Sequence, residues 1–332
     1  VVEHFNPNTL LGSWPGLSSG HHSVHEAGAA TEAVEVEQIT FTSGGDRLVG
    51  HLFTPVGLDR TQRHPAVVVV GSWTSVKEQM PDMYASRLAE QGFITLTFDF
   101  AGFGESAGLP RQLESPARKI QNIKDAVIVL GQRQEVDPSA ISGLGICAGA
   151  GYMAHAVAQD ERFSGLLLIA PWLHNEAMAR MIYDARPVGA QGLIDASRRA
   201  QARFEEQGTM AYVLATSELD PLSAMFVPNN VFDYYLNPAK GAGAHYDNRF
   251  AVASWEGWIT FDGVGAGRDL NTPVHIIHSE SGAVPDGTRQ FYAQLGQGSI
   301  EWLNDHTQED FYHNPAAVND AVAAATRALK AR

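Results

Sequence analysis

The sequence predicts an α/β protein: a mostly parallel, doubly wound sheet, entered through an N-terminal hairpin and carrying a helical cap inserted between its sixth and seventh strands. Three observations predict it. Strand-like and helix-like runs alternate after residue 34. A tight strand-to-helix turn surrounds Cys147, the only cysteine in 332 residues. A long irregular stretch rich in aromatics then separates the last two strand-like runs from the rest.

The elements follow in order. Residues 34–41 alternate apolar and polar, residues 43–46 (S-G-G-D) turn, and residues 47–53 return as the second arm of a hairpin. The runs 66–70 and 93–98 are continuously apolar or β-branched, which is how strands covered on both faces read. Helical patterns fall at 83–91 and 116–130. The run 140–144 feeds the turn at Cys147, and 152–158 continues as a helix. Another buried strand is expected at 163–169, two more at 273–278 and 299–303, and a closing helix at 318–329. The resulting division is an N-terminal extension over 1–33, a core over 34–171 and 272–332, and a cap over 172–271.

Composition bounds the function. A hydrophobic fraction of 44% is ample for a core, and no uncharged apolar run is long enough to span a bilayer. The formal charge of −14 repels phosphate backbones and anionic lipid surfaces, so neither nucleic acid nor membrane is an expected partner. A small-molecule substrate is, and homo-oligomerisation stays open. One cysteine excludes an internal disulfide framework and a cysteine-rich zinc site. The cytoplasm is the expected compartment, with a secreted or periplasmic location after leader removal left open. His21, His22 and His25 lie close together in the extension; exposed histidines of a polar arm are preferred there to a metal site. No metal and no cofactor are expected.

The turn at 145–149 reads G-I-C-A-G. Glycines two residues before and after a reactive side chain are what a nucleophile elbow needs, because the bend leaves no room for Cβ atoms. A buried structural thiol is the alternative, but packing alone does not call for both glycines. Trp73, Asp99, Cys147, Pro171 and Ser279 all fall at the carboxyl ends of strands, where doubly wound sheets bind ligands.

With the hairpin, the elbow, the run 71–80 (G-S-W-T-S-V-K-E-Q-M) and the D-x-x-G-x-G-x-S pattern from Asp99 to Ser106, the chain resembles the α/β-hydrolases. The cysteine makes it most similar to the dienelactone hydrolase-like branch. The resemblance implies a Cys147 nucleophile and an oxyanion hole from the backbone N–H groups of Ala148 and of Trp73 or Ser72. It places the base just after the last strand. Related hydrolases often carry a histidine two residues before a D-F-Y-like stretch, where this chain has Gln308; His306 is taken as the base, with His174 and His313 as rivals for base or substrate-orienting residue. Glu280 is the acid nearest the expected position, and Asp286 lies further along. Glu78 stands near the place from which a glutamate can touch the thiol; the alternative is that Lys77 and Glu78 merely open the following helix.

The expected activity is therefore cleavage of a carboxylic ester or lactone of a small organic molecule through a Cys147 thioester. Acyl transfer or cyclisation through the same thioester is the second expectation. A small-molecule-binding protein that keeps the fold without catalysis is the third.

Overall fold

The computed structural model describes residues 34–332. The extension, with His21, His22 and His25, lies outside the described residues. β1 (Val34–Ser43) and β2 (Asp46–Pro55) form the hairpin, with Val34 opposite Pro55 and Ser43 opposite Asp46. The turn between them is made by Gly44 and Gly45, both at positive φ. β3 (His64–Val70), β4 (Ile94–Phe98), β5 (Val136–Ile146), β6 (Gly165–Ile169), β7 (Val274–His278) and β8 (Gly298–Trp302) complete one eight-stranded sheet. Its order is β1-β2-β4-β3-β5-β6-β7-β8; β1 and β2 are antiparallel to their neighbours and the rest run parallel.

The unbroken apolar runs have the predicted cause. In β3, Ala66, Val68 and Val70 face one core and Val67 and Val69 the other, so every residue from Ala66 to Val70 is buried. One face is covered by α2 (Pro116–Gly131), through Ile123, Ala126, Val127 and Leu130, and by α3 (Gly149–Gln159), through Met153 and Val157. The other is covered by α1 (Met80–Glu90), through Tyr84, Ala85 and Leu88, and by the C-terminal helix, through Val318, Ala321 and Val322.

The boundaries differ from expectation where local chemistry was underread. α1 starts at Met80, three residues early, because Pro81 occupies its first turn, where a missing N–H costs nothing. β5 begins at Val136, before the apolar run, its first residue paired with His64 ahead of a register shift.

Between β6 and β7 lie α4 (Glu176–Asp184), α5 (Gly189–Gln207) and α6 (Ser254–Ile259). Two small two-stranded sheets accompany them, pairing Tyr212–Leu214 with Arg249–Ala251 and Thr216–Ser217 with Met225–Phe226. After β7 come α7 (Pro285–Tyr292), then β8, α8 (Asp310–His313) and α9 (Pro315–Lys330), the last capped by the Asn314 side chain. Among the described residues no helix is long and apolar enough to cross a membrane.

Candidate active site

Cys147 sits at the carboxyl end of β5 with φ +54°, a conformation that side-chain-bearing residues rarely adopt and that a nucleophile elbow imposes. Both flanking glycines are there for space. A Cβ on Gly145 would lie 2.5 Å from the Gly149 carbonyl oxygen, and one on Gly149 would lie 2.4 Å from that of Gly71. The bend is pinned by hydrogen bonds from Cys147 N–H to the Ile169 carbonyl (3.2 Å) and from Trp172 N–H to the Cys147 carbonyl (2.9 Å).

The sulfur is buried and surrounded by polar groups. The Tyr312 hydroxyl, the Gln308 side chain and the backbone N–H groups of Ala148 and Trp73 lie around it, and each favours the thiolate. Burial raises the thiol pKa, and these donors pull it only part of the way back. Cys147 is accordingly a neutral thiol at pH 7.

The base expected after the last strand is absent from the sulfur. Gln308 stands there instead. Its Oε1 accepts from Ala283 N–H (2.8 Å), and its Nε2 donates to the Ala170 carbonyl (2.9 Å) and the Tyr312 hydroxyl (3.2 Å). Tyr312 lies in α8, which is fixed from below by a 2.6 Å hydrogen bond from the Tyr84 hydroxyl to the Phe311 carbonyl. Tyr235, from the segment between β6 and β7, hydrogen-bonds Ser72 and stacks on Tyr246 at 5.4 Å.

The other expected participants lie elsewhere. His306 turns its Nε2 to Asp320 of α9 at 2.8 Å, because its own N–H is tied back to the Leu303 carbonyl (3.2 Å). Glu280 is exposed and paired with Arg289, with its backbone N–H held by Asn304 (2.9 Å); it does not meet His306. Asp286 shares the same arginine at 2.8 Å. His174 has both ring nitrogens engaged, Nδ1 accepting from Trp172 Nε1–H (2.9 Å) and Nε2 donating to the Trp258 carbonyl (2.8 Å). Burial lowers its pKa to about 4, so it is a neutral structural histidine. His313 stacks on Tyr234 with Glu309 at 3.7 Å. None of these imidazoles is among the groups acting on the thiol.

Glu78 is also placed away from the sulfur. Lys77 is fully buried and its ammonium touches three carboxylates, Asp99 (2.7 Å), Glu105 (2.8 Å) and Glu78 (2.8 Å). The Lys77 backbone N–H also donates to Asp99 (2.8 Å), so this cluster anchors the turn that carries Trp73. Burial, followed by repulsion from Asp99, raises the Glu78 pKa to about 7. The D-x-x-G-x-G-x-S pattern serves the same anchor. A Cβ on Gly104 would run into the Asp99 carboxylate, and the Ser106 hydroxyl links the Asp99 carbonyl (2.6 Å) to Val49 N–H (2.9 Å). Among the described residues, Glu78, Glu105 and His245 could bring ligand atoms within 4.8 Å of one another, but both carboxylates are already paired with the Lys77 ammonium.

Gln308, Tyr312 and Tyr235 were not singled out as site residues by sequence. The first two had a signal, since Gln308 fills the slot reserved for histidine and Tyr312 closes the D-F-Y stretch. Tyr235 had none, because the fold of the segment that carries it has no simple period.

The strand order, the elbow and the flanking helices define the α/β-hydrolase fold, and comparison with known proteins agrees. Residues 63–217 match the profile of the Hydrolase_4 family, serine aminopeptidase S33. The chain is 37% identical over 132 residues to the uncharacterized protein YcjY of Escherichia coli K12, covering 39% of this chain and 43% of that one. It is 33% identical over 210 residues to the uncharacterized protein PA2218 of Pseudomonas aeruginosa, covering 62% and 55%. The crystal structure of PA2218 superposes with a TM-score of 0.77 at 24% identity, over 90% of this chain and 93% of that one. The thiohydrolase aneE of Aspergillus aculeatus is 30% identical over 120 residues, covering 36% and 38%. The matched stretches thus span about half or less of the curated relatives.

Proposed function

We propose that the protein is a hydrolase of small acyl compounds, of the dienelactone hydrolase-like branch, with Cys147 as nucleophile. The observation that carries the reading is the tight turn that holds Cys147 at φ +54° just past the carboxyl end of β5, with the backbone N–H groups of Ala148 and Trp73 near the sulfur. A substrate carbonyl at that spot would direct its oxygen to those donors while Sγ attacks carbon. The tetrahedral intermediate would collapse to a thioester, and water would then release the acid.

The surroundings narrow the substrate. Among the described residues no imidazole is among the groups acting on the thiol, so this reading takes a leaving group that is stable as an anion, such as the enolate of an enol lactone or a thiolate. The name thiohydrolase, borne by a relative matching over 36% of this chain, agrees with acyl–sulfur chemistry. The segment 172–271 serves in this reading as a cap domain. It brings Tyr235 against Ser72, and Trp255 and Trp258 against the Trp73 ring at 5.9 and 5.0 Å, which would exclude water from the acyl-enzyme.

The test is turnover of an enol lactone, an aryl ester and an acyl thioester by the wild type and by Cys147→Ala. The reading requires hydrolysis of at least one of them by the wild type and its loss in the variant. Gln308 in the base position favours a second reading, in which a carbonyl compound binds without reaction. Saturable binding of such compounds with no turnover would select it.

A further inference from the structure

Glu114 lies fully buried between the turn that carries Trp73 and the helix that follows Cys147. Its carboxylate stands among three donors. Oε2 accepts from the Thr74 backbone N–H (3.2 Å), and Oε1 accepts from the Lys119 ammonium (2.7 Å) and the Tyr152 hydroxyl (2.8 Å). Tyr152 belongs to α3, which leaves the elbow at Gly149, and Lys119 belongs to α2. Lys119 is itself buried, its ammonium 4.2 Å from the centre of the Phe103 ring and 4.6 Å from that of Phe100. The Glu114 backbone N–H donates to Ser254 Oγ (2.9 Å) at the start of α6.

A buried ion pair is a poor way to fill space, since apolar residues of similar volume avoid the desolvation of both charges. The local backbone shows what this one holds. Thr74 has φ +59°, which a β-branched residue adopts only when its surroundings impose it. Its turn is closed by Ser75, whose N–H (3.2 Å) and hydroxyl (2.7 Å) both donate to the Ser72 carbonyl, and the Thr74 N–H is given to Glu114. The same turn abuts the elbow: Val70 is paired with Gly145, and the Gly71 carbonyl lies where a Cβ on Gly149 would be only 2.4 Å away. The carboxylate thus joins the Trp73 turn to the helix that starts at the elbow.

We infer that Glu114 is a positioning residue for acyl transfer, locking the turn at Thr74 so that the neighbouring Trp73 N–H stays directed at the substrate carbonyl oxygen. The inference rests on the reading of Cys147 as nucleophile and of the Trp73 N–H as an oxyanion donor. A carboxylate accepts at both oxygens and so meets all three donors. A glutamine there would set its NH2 against the Thr74 N–H or against the Lys119 and Tyr152 donors.

The experiment compares two reactions of the same thiol in the full chain. Acylation by a phenyl thioester builds negative charge on a carbonyl oxygen, and alkylation by iodoacetamide does not. Both are followed as Cys147 adducts by mass spectrometry. Glu114→Gln is expected to slow acylation at saturating thioester by about 100-fold, with the half-saturating concentration and the alkylation rate unchanged. Tyr152→Phe keeps the ring and removes one donor to the carboxylate. It should show a smaller loss of the same kind, and it decides the matter where Glu114→Gln does not fold. A loss shared by alkylation, or no loss of acylation, overturns the positioning role while leaving Cys147 as nucleophile. Absence of acylation in the wild type overturns the nucleophile reading, and the positioning role with it.

Discussion

Gln308 gives its two amide hydrogens to the Ala170 carbonyl (2.9 Å) and the Tyr312 hydroxyl (3.2 Å), and so occupies the place expected for a base beside Cys147 without being one. The turn at Cys147 and the N–H groups of Ala148 and Trp73 suit the acyl-transfer site proposed above, and none of the imidazoles expected there by sequence is among the groups acting on the thiol. How the protein handles the thiol proton decides what it does.

Cys147 should behave as an unactivated thiol. Its pKa is raised by burial, so the fraction of thiolate at neutral pH is small and grows with pH. Alkylation by iodoacetamide should increase about tenfold per pH unit from neutrality to past pH 9, without a plateau near neutrality. A plateau below pH 7 would mean a stabilised thiolate, contrary to the dominance of burial described.

Gln308→His puts an imidazole near the sulfur in place of the amide. The alkylation rate at pH 7 should rise by about tenfold or more as the thiolate gains a cationic partner. The same measurement on His306→Ala should show no change, since His306 is turned to Asp320.

Much of the fold was legible because its signals are local or periodic. The valines of β3, the hairpin glycines and the elbow each carry a physical requirement that a short window expresses. Cys147 was singled out that way, and Trp73 and Ala148 followed from the placement of the turn. The structure turns His306 and Glu280 to partners that the sequence did not reveal. His306 and Glu280 have the right chemistry near the right place, but a loop's orientation depends on distant partners, here Asp320, Arg289 and Asn304. Tyr235 was beyond reach because it arrives from a segment whose path is set by long-range packing.

The Lys77 cluster should be essential to stability. Lys77→Met strands the Asp99 carboxylate, itself fully buried, without its cation and should cost about 3–5 kcal/mol in urea unfolding. A change below about 1 kcal/mol would show that Asp99 finds compensation elsewhere.

Gly149→Ala tests the elbow directly. The new methyl would meet the Gly71 carbonyl at 2.4 Å, between the turn carrying Cys147 and the turn carrying Trp73. Overpacking of that kind should cost about 1–3 kcal/mol by thermal or urea unfolding. Full stability in the variant would mean that the two turns are further apart than described.

The most direct measurement is the intact mass of the protein after brief mixing with an acyl thioester, followed by peptide mapping. The account predicts a transient mass increase equal to the acyl group, located on Cys147 and absent from Cys147→Ala. An unmodified Cys147, with any turnover unchanged in the Cys147→Ala variant, would contradict it.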